Sequence, residues 1–190
     1  GGVYYTPSYI VDYIVKHTVG EAVKDRGPKE LKGFRILDMA CGSGSFLLGA
    51  YQFMLEHYLT WYASHNPEKH EKEVYESNGA LRLTTAERKR ILLEHVYGVD
   101  IDRQAVEVTK LSLLLKVLEG ESDETIGRQM QIFHDRVLPS LESNIKCGNS
   151  LIGPDYFTGK LIPDDEELRR VAATAARVTR WRRRIIGPIL

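Results

Sequence analysis

Cysteine is scarce in this 190-residue chain, and the two present, Cys41 and Cys147, form neither a C-x-x-C nor a Cys/His ligand spacing. Both read as reduced thiols, so no disulfide framework is expected. The histidines offer no metal pattern either: His17, His57, His95 and His134 are scattered, and His65 and His70 stand five apart in a charged segment with no H-E-x-x-H. No metal site is predicted. No signal-peptide pattern opens the chain, and no apolar run nears membrane-spanning length. The expectation is an intracellular, cytoplasmic protein with no membrane partner. The opening Gly1-Gly2-Val3 lacks a methionine, which suggests a piece of a longer parent.

Acid is missing beyond Val171, where Arg177, Arg180, Arg182, Arg183 and Arg184 gather. The whole chain has 26 basic and 26 acidic residues, so residues 1–170 carry about −5. A slightly acidic body matches DNA phosphates poorly, and most of any grip on DNA is expected outside it. With 43% hydrophobic residues the chain can bury one good core.

Thr6-Pro7 ahead of Tyr9, Ile10, Tyr13, Ile14 and His17 reads as a capped helix, Thr6 as N-cap and Pro7 first in the helix, ending near Asp25 before Gly27-Pro28. Phe34–Leu37 reads as a strand, and Phe46–Leu59 as a helix. Residues 62–85 are polar, an exposed insertion or an extended helix end. Thr84 and Glu87 form a capping box for a helix to about Glu94. His95–Val99 is the second strand, closed by Asp100-Ile101-Asp102; residues 103–118 then repeat apolar positions, with Ala105, Val108, Leu111, Leu115 and Leu118 on one side. Asn144–Cys147 is a third strand, running into Gly148-Asn149-Ser150. Strands alternating with helices over short turns predict an α/β fold with a parallel sheet, whose ligand sits at the carboxyl ends of the strands.

The turn Asp38-Met39-Ala40-Cys41-Gly42-Ser43-Gly44-Ser45-Phe46 joins the first strand to a helix. Gly42 and Gly44 can take backbone angles closed to other residues, and a ligand there meets N–H groups and the positive end of the helix. Asp38 adds an acceptor. A dinucleotide site would need G-x-G-x-x-G, but Leu47 stands where the third glycine belongs. What remains resembles motif I of the S-adenosylmethionine-dependent methyltransferases, D-x-A-C-G-x-G-x-F, in a form typical of amino-methylating DNA methyltransferases. That resemblance implies a Rossmann-like methyltransferase fold, incomplete at its C-terminal end, and S-adenosylmethionine held at Asp38, Ala40, Cys41, Gly42, Gly44 and Phe46.

An adenosine ligand offers two ribose hydroxyls, which the carboxylate of Asp100 at the end of the second strand would accept. Asp100 lies 62 residues beyond Asp38, far more than the roughly 20 of a compact dinucleotide unit; the insertion accounts for the excess. Asp102 fits better as a helix cap. Ile101 would face the adenine ring, and Asn149 would bond its amino edge. Tyr4-Tyr5-Thr6-Pro7-Ser8 looks like motif X of the N6-adenine DNA methyltransferases in which that motif comes first. By that resemblance Thr6, with Tyr5 and Pro7 beside it, holds the methionine end of the cofactor.

The resemblance runs from Tyr4 to about Leu168 and is nearest to the bifunctional restriction-modification enzymes, which carry nuclease, methyltransferase and target-recognition regions on one chain. It divides the chain into a cofactor-binding part, 1–170, and a basic tail, 171–190, which is open to three readings: a nucleic-acid-binding arm, a solvated helix, or sequence that is not native-like. Within the first part lie motif X (1–30), motif I (34–62), the insertion (62–85), motif II (95–118) and motif III (144–153). The parent is expected to methylate adenine N6 on a base flipped from double-stranded DNA. The catalytic [D/N]-P-P-[Y/F] is absent; Asn66-Pro67-Glu68-Lys69 lacks the second proline and the aromatic. No catalytic residue is assigned, and the chain is expected to bind cofactor without methylating. An RNA or protein-glutamine methyltransferase and a non-catalytic cofactor-binding scaffold remain open readings.

Overall fold

The computed structural model describes residues 6–119 and 138–151, with positions 178, 181 and 185. Its centre is a parallel sheet of β1 (Ile36–Asp38), β4 (Val96–Asp100) and β5 (Ile145–Cys147), in the order β1-β4-β5. Ile36 pairs with Val96, and Asp100 with Cys147, so all three strands end at the same edge. β1 starts two residues later than expected because the Phe34 carbonyl accepts from His95 Nδ1 rather than from a strand partner. His95 itself closes a helix and is buried, so β4 begins at Val96. Asn144 lies just before β5, where its amide donates to the carbonyls of Leu93 and Val96, each at 2.9 Å.

Helix α1 (Ser8–Val15) continues through a π turn (Lys16–Gly20) into α2 (Glu21–Val23). The expected cap is corrected here: Pro7, with extended ψ, is the N-cap residue, and no side chain caps the helix. The Pro7 carbonyl instead accepts from the amides of Ile10 and Val11. Val11, Val15, Val19 and Val23 are all buried. A spacing of four drifts around an ordinary helix, and the wider π turn brings the stripe back into line.

Helix α3 (Ser45–Ser64) runs five residues past its expected end, held by Tyr62, whose hydroxyl donates to buried Glu87 at 2.8 Å. The insertion holds a 3₁₀ turn (Pro67–His70) and a hairpin of β2 (Val74–Ser77) and β3 (Ala80–Leu83), which the sequence reading did not include. Helix α4 (Thr85–His95) has half a capping box. Thr84 Oγ1 accepts from the Glu87 amide at 3.2 Å, but the Glu87 carboxylate turns away to Tyr62 and Arg90.

In α5 (Arg103–Leu118) the buried residues are Val106, Thr109, Leu113 and Val117. The expected apolar face is corrected: Val108, Leu111 and Leu115 are 49%, 58% and 60% exposed. Both stripes obey helical spacing, and packing against α4, α3 and β5 selects between them. No described helix is long and apolar enough to cross a membrane. Among the described tail positions Val178 is buried, and Trp181 Nε1 donates to the Ser143 carbonyl at 2.6 Å.

Candidate functional site

Asp38 is the last residue of β1, and its Oδ1 accepts from the Ala40 amide at 3.0 Å, which starts the turn. The Cys41 amide then donates to the Val99 carbonyl at 2.9 Å, tying the turn to β4. Gly42 (φ +52°) and Gly44 (φ +87°) both take left-handed backbone, and Gly44 is the N-cap residue of α3. The space above Gly42 is open: a β-carbon there would meet nothing within 4 Å.

Asp100 ends β4 and reaches this turn across the sheet. Its Oδ2 accepts from the Gly42 amide at 2.7 Å, and its Oδ1 from the Asp102 amide at 2.8 Å. Each carboxylate oxygen has a second lone pair, so two hydroxyl donors can still be accepted. Asp102 caps α5 by accepting from the Gln104 amide at 2.8 Å. After β5, the Gly148 amide donates to the Asp100 carbonyl at 2.8 Å, and Ser150 Oγ to the Met39 carbonyl at 2.7 Å. These two bonds close the third turn onto the first two. Asn149 Oδ1 accepts from the Leu151 amide at 2.9 Å.

The sequence-predicted residues therefore separate into three groups. Asp38, Ala40, Cys41, Gly42, Gly44, Asp100 and Asn149 come together at the carboxyl edge of the sheet. Ile101 is at the rim, 72% exposed, while Phe46 packs partly into the core. Thr6 and Pro7 precede α1; Tyr5 lies outside the described residues. A β-carbon on Gly49 would strike Val11, and one on Gly20 would press on Phe53. The two helices thus advance together, with the Pro7 end of α1 toward the Ser45 end of α3.

The turn offers fewer open amides than its sequence suggests. Those of Ala40, Cys41, Gly42 and Gly44 are all spent on internal bonds. Still facing a ligand are the first turn of α3 and two carboxylates, among other groups of the turn. Burial raises the pKa of Asp38, and the nearby Asp100 carboxylate adds to the effect. Burial and the same two acids push the Cys41 thiol up to about 12, which makes it an inert packing group. Among the described residues no group of three or more His, Cys, Asp or Glu is placed to hold a metal ion.

Sequence reading missed Thr109, whose hydroxyl lies under the turn, and Gly98, where a β-carbon would meet Leu47 at 2.7 Å and Cys41 Sγ at 3.1 Å. A threonine inside an apolar helix was the visible signal for the first.

Fold and site define a class: an α/β protein whose glycine turn is flanked by acids rather than built for phosphate, as in methyltransferases. Residues 23–155 match the family described as the MmeI DNA-methyltransferase domain, and the chain belongs to that family. It is 37% identical over 147 residues to the type II restriction enzyme and methyltransferase RM.Eco57I of Escherichia coli, covering 77% of this chain and 14% of that protein. It is 30% identical over 194 residues to a putative type II restriction enzyme and methyltransferase, RM.MjaORFECS2P, of Methanocaldococcus jannaschii, covering 80% and 14%. It is 28% identical over 144 residues to the adenine-specific methyltransferase PglX of Streptomyces coelicolor, covering 76% and 10%. The chain therefore spans a small part of the length of the curated relatives it matches.

Proposed function

We propose that this chain holds S-adenosylmethionine, on a Rossmann-like sheet, for a site-specific DNA adenine-N6 methyltransferase of the restriction-modification kind. One observation carries the reading: Asp100 and Gly42, 58 residues apart, meet in one hydrogen bond at the shared carboxyl edge of the strands. The donor set suits this cofactor. Two acids beside the turn repel a pyrophosphate but attract a sulfonium and an ammonium, and the space over Gly42 admits a ligand close to the backbone.

In this reading Asp100 accepts the ribose hydroxyls, Ile101 lies along the adenine and Asn149 bonds its amino edge. Asp38 and the turn residues Ala40, Cys41, Gly42, Gly44 and Phe46 surround the methionine portion, with Thr6, Pro7 and Tyr5 at its far end. When bound, the cofactor supplies an electrophilic methyl group. This sequence has no [D/N]-P-P-[Y/F] to present an adenine to it, so the chain binds the donor and the chemistry needs residues not in this sequence. Double-stranded DNA would be gripped mostly by other regions of a parent that also carries nuclease and target-recognition parts. The relatives' names mention restriction and adenine, and none mentions RNA or protein as a substrate.

Calorimetry with S-adenosylmethionine tests the reading. Asp100→Ala removes a charged acceptor from the hydroxyls and a brace from Gly42, and should weaken binding by about 1.5 to 3 kcal/mol or more. Asp102→Ala, which removes only a helix cap, should bind as the parent chain does. Equal affinity in the Asp100 and Asp102 variants would overturn the ribose assignment.

A further inference from the structure

Thr109 is distant from the glycine turn in sequence and belongs to no motif, yet its side chain is wholly buried against that turn. Its hydroxyl donates to the Gly42 carbonyl at 2.8 Å. The Gly42 amide is already taken by Asp100 Oδ2 at 2.7 Å, so both backbone polar atoms of Gly42 are fixed by side chains from the β4–α5 segment. The methyl and hydroxyl of Thr109 also lie 2.8 and 2.9 Å from where a β-carbon on Gly44 would stand, so the helix closes on the turn with no gap. The same helix begins at the Asp102 cap, whose amide orients the other oxygen of Asp100.

Glycine is the residue with the most backbone freedom to lose, and a turn with two of them in left-handed conformation does not hold its shape by local preference alone. We propose that Thr109 is a positioning residue for the cofactor. It locks Gly42 and Gly44 in the conformation that keeps the space above Gly42 open, and so sets S-adenosylmethionine affinity without touching the ligand. The inference rests on the cofactor reading above. The plainer alternative is a core threonine whose hydroxyl merely finds the nearest carbonyl; its removal would lower stability and leave the turn's order and affinity unchanged.

Three variants of the full chain separate the two. Thr109→Val keeps the shape and removes the donor, Thr109→Ala removes donor and methyl, and Thr109→Ser keeps the donor alone. Amide hydrogen exchange without ligand should show Gly42 and Gly44 exchanging about tenfold faster in the Val and Ala variants, with the β4 amides unchanged and the Ser variant matching the parent. Calorimetry should show S-adenosylmethionine bound about tenfold more weakly by the Val and Ala variants and within about twofold of the parent by Ser. If the Val variant does not fold, the contrast between Ser and Ala still decides. Parent-like exchange and affinity in Val or Ala, or a Ser variant as impaired as Ala, would overturn the proposal. Should the parent bind no S-adenosylmethionine, the cofactor reading fails, and the exchange data still test whether Thr109 orders the turn.

Discussion

Gly42 and Gly44 are two residues apart, and the structure asks different things of them. Gly42 has positive φ and open space where a side chain would go; Gly44 has positive φ and Thr109 packed against it. Alanine at Gly42 should therefore cost the fold only the left-handed backbone preference, about 1 to 2 kcal/mol. Its methyl would, however, project into the space left for a ligand, and S-adenosylmethionine affinity measured by calorimetry should fall by about tenfold or more. Alanine at Gly44 adds about 1 to 3 kcal/mol of overpacking to the same backbone cost. Urea unfolding should rank Gly44→Ala well below Gly42→Ala in stability. Equal stability of the two variants would mean that Thr109 is not packed as described.

Among the elements, α3, α4 and the segment before β1 meet at His95. A backbone carbonyl can only accept, so the Nδ1 facing Phe34 at 2.7 Å carries the proton, and Nε2 accepts from the Tyr58 hydroxyl at 2.8 Å. Burial lowers the pKa of this ring from its ordinary 6.5. The unfolded chain then takes up the proton first, so His95 lowers stability as pH falls below about 6.5 and has no such effect above it. His95→Gln should be less stable at pH 8 by about 1 to 3 kcal/mol and should lack this part of the slope in urea titrations between about pH 5 and 7. A slope equal to the parent's would place the proton elsewhere.

His95 also shows what sequence could convey about elements and what it could not. The three strands, α3 and α5 were legible from composition and spacing, and Asp102 and Thr84 from capping chemistry. The position of His95 was not, because only its long-range bond to Phe34 ends one element and delays another. The hairpin was missed although Asn78 (φ +52°) and Gly79 (φ +73°) form the Asn-Gly turn that such hairpins favour. The α5 stripe was misread because a helix apolar on several sides shows its buried face only when its neighbours are known.

At the scale of the whole molecule the sheet has two working ends. The carboxyl ends carry the acids and the glycine turn, which sequence made legible because β1 and β4 each end in an aspartate and β5 runs into Gly148-Asn149. The amino ends carry two described positions of the tail: Trp181 bonds the Ser143 carbonyl, its ring lies 6.2 Å from Tyr97, and Arg35 donates to the Ile185 carbonyl at 2.9 Å. Nothing in the run of alanines and arginines announced these anchors. A tail foreign to the fold would leave stability unchanged when its tryptophan is removed; one that completes the fold would not. Trp181 is half-buried and holds one hydrogen bond, so Trp181→Ala should cost about 1 to 3 kcal/mol in urea unfolding. Cofactor affinity should stay within about twofold, since the substitution acts at the end of the strands away from the glycine turn. An unchanged unfolding curve would remove residues 171–190 from the domain, and a lost affinity would show that the two ends of the sheet are coupled.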